Sequence, residues 1–212
     1  KKINDKHSLN LTTILAQNKR GKNSPNTDEV TDLAGVKYNS YWGYQGGKIR
    51  NSRFKDAEEP MIMLTHFWKV NPKTNVNTTA SFQTGRIGNS RIDYTKADNP
   101  DPVYYRKLPS YELTRHTFDA NGVSVFTPNP AGAALLKETF LDNRLIDWDN
   151  IYEINKDNLV NGSRIVLYED RNDENIAMIN TNISSRLSDN IFLNAGANYM
   201  DSRTKNFKNM LD

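Results

Sequence analysis

The chain has three histidines, His7, His66 and His116, and no cysteine. The histidines do not stand at metal-ligand spacing, and without thiolates there is no Cys-based metal site, disulfide or sulfur nucleophile. His66 lies in an alternating apolar segment, which suits an interfacial or structural side chain better than a catalytic one. Carboxylates cluster at Glu58-Glu59, at Asp147 with Asp149, and at Glu169-Asp170 with Asp173-Glu174. Two carboxylates flanking a sugar bond can hydrolyse it, but acidic runs are also the ordinary content of solvated loops. Asp170-x-Asn172-x-Glu174 begins like a calcium loop and lacks the glycine that turns one. No G-x-S-x-G, phosphate-loop or H-E-x-x-H pattern occurs, and Gly46-Gly47 has the composition of a hairpin turn. These residues predict no enzyme, no metal site and no cofactor.

Binding chemistry is better represented. Tyr104, Tyr105, Arg106, Tyr111 and Trp148 fall within one long segment between alternating stretches. Aromatics and arginine are the residue types that concentrate binding energy at interfaces. They are the candidate contacts for a ligand or partner. The competing reading, favoured for Trp148 and Tyr152, is that these rings form a small core that offsets the entropy of ordering the segment.

The elements that must position these residues are strands. Leu9, Leu11 and Leu15 alternate with Ser8, Asn10 and Thr12. Ile62, Leu64, His66, Trp68 and Val70 share a face before a turn at Asn71-Pro72-Lys73-Thr74. Val76, Thr78, Ala80 and Phe82 follow, against Asn77, Thr79, Ser81 and Gln83. Ala177, Ile179, Thr181, Ile183 and Leu187 oppose Met178, Asn180, Asn182 and Ser184. After a turn at Ser188-Asp189-Asn190, Ile191, Leu193, Ala195, Ala197 and Tyr199 oppose Asn194, Gly196 and Asn198. Strands are therefore predicted near 8–18, 53–70, 75–87, 164–187 and 190–203, with long loops near 19–52 and 88–162. Asn129-Pro130 is placed to cap and start a short helix through Ala133, Leu136 and Phe140.

The polar faces carry Asn, Ser, Thr, Gln and Gly with few charges, unlike the Lys- and Glu-rich face of a soluble sheet. Short turns alternate with very long connections, as in outer-membrane barrels, whose short turns are periplasmic and whose long loops are extracellular. Trp68 and Tyr199 fit an interfacial aromatic girdle. Mean hydropathy is −0.76, and no stretch is apolar over the roughly 18 residues a spanning helix needs. A barrel strand needs only about 9–11 residues, alternately apolar, so the low hydropathy is compatible with one. With 28 basic and 25 acidic residues and a net charge of +3, nothing points to nucleic acid. The predicted class is all-β: an antiparallel transmembrane β-barrel sector with long extracellular loops and a short helix in one of them. The ends, Lys1-Lys2-Ile3-Asn4 and Asn209-Met210-Leu211-Asp212, fit a piece of a longer chain.

Several stretches resemble TonB-dependent outer-membrane receptors of the Bacteroidetes type. They are Trp42-Gly43-Tyr44-Gln45-Gly46-Gly47-Lys48 with Arg50-Asn51-Ser52-Arg53, and Glu59-Pro60-Met61-Ile62-Met63-Leu64-Thr65-His66. Tyr104-Tyr105-Arg106-Lys107-Leu108-Pro109-Ser110-Tyr111, Ile146-Asp147-Trp148-Asp149, Tyr168-Glu169-Asp170-Arg171 and Leu193-Asn194-Ala195-Gly196 complete the set. The resemblance runs from about residue 40 onward and includes no catalytic signature. It implies a large plugged barrel in the bacterial outer membrane, in contact with lipid and energised by a periplasmic protein of the TonB type. The plug domain and the TonB-contacting segment are not in this sequence, so residues 1–212 are expected to form one sector of the wall. Energised uptake of a ligand is the implied activity. A receptor-like barrel that scaffolds a surface lipoprotein, and a soluble β-sandwich binding module, are the alternatives.

Overall fold

The computed structural model describes residues 1–156 and 162–212. In chain order the strands are β1 His7–Ile14, β2 Gln17–Gly21, β3 Trp42–Gln45, β4 Lys48–Asn51, β5 Phe54–Glu58, β6 Met61–Asn71 and β7 Thr74–Asp93. They continue with β8 His116–Phe118, β9 Ser124–Phe126, β10 Ile146–Asp147, β11 Val166–Arg186 and β12 Phe192–Met210. The helices are α1 Asp28–Ala34, α2 Pro109–Leu113, α3 Pro130–Asp142 and α4 Trp148–Lys156, with a 3-10 turn at Tyr105–Lys107. The chain is mostly β, with a curled antiparallel sheet, and no helix among the described residues is long and apolar enough to cross a membrane.

The chain divides into two compact units. The first comprises Lys1–Arg20, Lys55–Asn89 and Glu169–Asn209. Its strands run in the order β1-β6-β7-β11-β12, with β5 paired to β7 and β2 to β5. The register sets the faces: Leu11 pairs with Leu64, Thr13 with Ile62, Ile62 with Phe82, and Leu64 with Ala80. Hydroxyl contacts carry that face onward, from Thr78 to Thr181 at 3.2 Å and from Thr74 to Ser185 at 2.8 Å. A two-residue period across paired strands leaves no freedom in this choice, because a one-residue slip would invert every side chain.

Two predicted strands are interrupted. The expected 8–18 strand divides into β1 and β2, and the 53–70 strand into β5 and β6. Pro60 has no N–H for the ladder, and its carbonyl accepts from Thr84 instead, at 3.1 Å. Two other strands outrun expectation, β7 to Asp93 and β12 to Met210, because hydrogen bonding to a neighbour continues where the apolar alternation has stopped.

The second unit comprises Gly21–Phe54, Ser90–Tyr168 and Met210–Asp212. Most of it was expected to be loop, and the structure fills it with helices and short strands around two apolar clusters. One cluster is Ile146, Trp148, Ile151, Ile165 and Leu167; the other is Val30, Leu108 and Phe140. α3 starts where Asn129-Pro130 placed it, with the Asn129 side chain accepting from Gly132 N–H at 3.0 Å. β3 and β4 join through Gly46-Gly47, both at positive φ, 54° and 78°, which a tight two-residue hairpin requires. β10 lies parallel to β3 with Ile146 opposite Gly43. A Cβ at Gly43 would overlap the Ile146 carbonyl oxygen and press on Trp148.

Candidate functional site

Two surfaces stand out, one in each unit. In the first unit, Leu11, Ile62, Leu64, Phe82, Ile179 and Tyr199 share one face of the sheet and are each 45–70% exposed. They border a shallow apolar groove of about 460 Å³ whose floor includes Ala80 and Ala177. The opposite face bears Asn77, Asn182, Ser184 and Asn194 around a polar depression. Its hydroxyls and amides bond to one another, Thr65 with Thr79 at 3.0 Å and Asn182 with Asn180 at 2.6 Å. Among the described residues, no hydrophobic side chain of this unit is buried; the buried hydrophobic residues all belong to the second unit. A sheet in water hides its apolar face. This one displays it.

From Ala177 to Ser185, the last residue of β11 on this face, the run extends about 27 Å along the strand, or about 21 Å along an axis tilted by about 40°. That is most of the height of the apolar band of an outer-membrane barrel, about 25 Å. At one end of β1 and β6, pairing places His7 opposite Trp68. The His7 ring stacks on His66 at 5.2 Å and on Trp68 at 5.8 Å, and His7 Nδ1 lies 3.0 Å from His66 Nε2. A 59-residue separation hid this pair; only the β1–β6 register reveals it.

In the second unit, Tyr104, Tyr105, Arg106 and Tyr111 come together. Tyr105 meets Tyr104 edge-on at 4.8 Å and Tyr111 at 5.6 Å. Arg106 lies over the Tyr105 ring at 5.7 Å and donates through Nε to its hydroxyl at 3.0 Å. That hydrogen bond pulls the Tyr105 phenol below its ordinary pKa. Tyr105 is 53% exposed and Arg106 is exposed beside it. An arginine cation beside a tyrosine ring, with both open to solvent, combines the residue types that concentrate binding energy at interfaces. The 3-10 turn provides it: Lys107 N–H bonds to Tyr104 C=O at 2.7 Å.

Trp148 does not belong to that surface. It is 2% exposed, in the core cluster with Ile146 and Ile151, and its role as a contact residue is corrected to packing. Arg50 covers its ring at 4.0 Å and donates to Gln45 at 2.6 Å and to the Tyr152 hydroxyl at 3.1 Å. Tyr152 also donates to Asp212. Burial pushes the Asp212 carboxyl up, but hydrogen bonds from Tyr152 and Arg50 prevail and hold it below its usual range.

A cavity of about 460 Å³ lies in the same unit, walled by Phe140, Ile151, Ile154 and Ile165 and edged by Asp98 and Lys107. Burial lowers the Lys107 ammonium below its ordinary value, while Asp101 and Asp98 pull the other way. Its neighbours Tyr104–Arg106 were legible as candidates; Lys107 was not, because one lysine in a sequence carries no burial signal. Asp170, Asn172 and Glu174 lie in β11, an extended strand and not a cation-wrapping loop. Among the described residues no group of three or more His, Asp or Glu could hold a metal. No family profile, curated protein or solved structure matches the chain.

Proposed function

We propose that this chain is a wall sector of a bacterial outer-membrane β-barrel of the TonB-dependent receptor type, serving energised uptake of a ligand. The observation that carries the membrane part is the apolar face of the first unit, exposed across β1, β6, β7, β11 and β12 with, among the described residues, no buried hydrophobic residue in that unit. In a bilayer that face would have its partner in acyl chains, and the opposite, mostly polar face with few charges would border a lumen. A soluble sandwich would need a second sheet over the apolar face. The outer edge of β12, unpaired among the described residues along 19 residues, is where a barrel wall would continue; left open in water it would be an aggregation site.

The receptor part rests on the resemblance of the segments described above and on the exposed Tyr105–Arg106 surface. Under this reading, turns 71–74 and 188–190 are periplasmic and 88–162 is outside the cell. Fractionation of cells expressing the full chain tests the membrane part: it should stay with the outer membrane after an alkaline wash and require detergent for release. Release by the wash alone overturns the proposal. Deleting the energising partner tests the receptor part: uptake should cease. Undiminished surface assembly with no dependence on that partner would favour a scaffold for a surface lipoprotein. Tyr105→Ala with Arg106→Ala should weaken ligand or partner binding and leave assembly unchanged.

A further inference from the structure

In the second unit, one face of α3 and one face of α4 border the same cavity. Leu136, Thr139, Phe140 and Asn143 recur at helical spacing along α3, and Asp147, Asn150, Ile151 and Ile154 do so along α4 and the residue before it. Phe140, Ile151 and Ile165 are buried and make an apolar back wall. The remaining side is the segment from Ala97 to Lys107, whose path is fixed locally. Asp101 N–H donates to the Asn99 side chain at 2.9 Å, Val103 N–H to the Asp101 carboxylate at 3.1 Å, and Lys107 N–H to Tyr104 C=O at 2.7 Å. Pro100 and Pro102 restrict the backbone between them. The volume, about 460 Å³, falls in the range of small-molecule sites, roughly 300–1,000 Å³, and the lining is of their kind: apolar walls with a few placed polar groups.

Four charged side chains line this cavity, two of each sign: Asp98, Asp147, Lys107 and Arg164. Two are committed to the fold. Asp147 accepts from Asn150 N–H at 2.9 Å, and Arg164 donates through Nε to Lys96 C=O at 2.8 Å. Lys107 and Asp98 are not so committed: among the described residues, neither side chain makes a hydrogen bond or an ion pair. Asp98 still lies near enough for its charge to act on Lys107. Lys107 is half-buried, and an anion placed on it would replace the solvation that burial removes. A purely anionic ligand would bring like charge to Asp98, and a purely cationic one to Lys107. A ligand with both charges satisfies both, and because Lys107 and Asp98 do not touch, its charges must stand apart. We propose that this cavity binds a short zwitterionic peptide with apolar side chains, its carboxylate on Lys107, its ammonium on Asp98 and its side chains against Phe140, Ile151 and Ile165. All of these residues belong to the second unit, so the inference does not rest on the membrane-wall reading.

Isothermal titration calorimetry tests it on the full chain, in detergent or in buffer as its solubility requires. The probe is L-leucyl-L-phenylalanine; its C-terminal amide, its N-acetyl derivative and glycylglycine are the comparators. The wild type should bind the dipeptide, and each blocked form on the order of tenfold more weakly, because each lacks one charge-assisted contact. Glycylglycine, with no side chains for the apolar wall, should bind weakest. Lys107→Gln should abolish the preference for the free carboxylate and keep that for the free amine; Asp98→Asn should do the reverse. A general loss of structure would not separate the two preferences. No binding of the dipeptide by the wild type, equal affinity for either blocked form or for glycylglycine, or loss of both preferences together in a variant that melts as the wild type does overturns the proposal. Should a variant fail to fold, the ranking of the four probes on the wild type decides it. Each of these failures leaves the wall reading standing, since that reading is tested by fractionation.

Discussion

The two units solve the problem of apolar surface in opposite ways. The second unit has its large apolar side chains in two dry clusters built on Trp148 and Phe140. The first has comparable side chains in Leu11, Ile62, Leu64, Phe82 and Ile179, and leaves them outside. Sequence periodicity is regular in the exposed unit and poor in the buried one. A regular alternation thus records a sheet whose two faces differ in chemistry, whereas a packed core draws on whichever positions the chain path brings inward.

The largest effects should come from the buried unit. Trp148→Ala removes the centre of a cluster and should cost about 3–5 kcal/mol, seen as loss of protease resistance in 90–156 while the strands of the first unit stay assembled. Trp148→Phe should cost much less, because the indole Nε1 is buried without a partner and contributes no hydrogen bond. A similar loss for both would mean that the cluster is not organised by ring packing.

Next comes the exposed face. Ile179→Arg and Leu64→Arg should each cost about 2–4 kcal/mol when the chain folds into a bilayer, and Asn180→Arg little, since only the first two would meet hydrocarbon. Urea titration of the reconstituted chain measures this, and equal costs for positions 179 and 180 would erase the distinction between the faces. Gly43→Ala should cost about 1–3 kcal/mol by forcing β3 away from β10; an unchanged midpoint would show that this pair is looser than its register.

The smallest effect is alkaline. The Tyr38 hydroxyl donates to Arg144 C=O at 2.7 Å. Burial first, and Asp101 second, raise its pKa well above the ordinary value, with Arg144 opposing. The unfolded phenol ionises near 10, so the contribution of Tyr38 is whole below that pH and declines as pH climbs beyond it. Tyr38→Phe should flatten that part of the alkaline stability curve and cost about 1 kcal/mol at neutral pH through the lost hydrogen bond. A curve of unchanged slope in the variant would remove Tyr38 from the account.

What was legible in the sequence follows the same division. Leu64, His66 and Trp68 announced a strand face because side-chain direction is strictly local in a strand. The α3 start was legible because an Asn-Pro cap is local too. The breaks at Leu15-Ala16 and Glu59-Pro60 were not, since each depends on which strand lies alongside. The filling of 19–52 and 88–162 was hidden for the same reason: Val30, Leu108 and Phe140 are far apart in sequence and meet only through the tertiary path. Trp148 was placed correctly by the core reading and wrongly as a surface contact, because residue type alone cannot separate a binding tryptophan from a buried one. The His7–His66 stack was silent until the register of β1 on β6 was known.

The central claim is that one face of the first unit meets lipid and the other does not. The 212 residues contain no cysteine, so single cysteines can be placed one at a time along β11 from 177 to 184 in the reconstituted full chain and labelled with a polarity-sensitive dye. Brominated lipids should quench the dye at 177, 179, 181 and 183 and spare it at 178, 180, 182 and 184. Quenching that ignores parity, or no quenching at any of the eight positions, would contradict the claim.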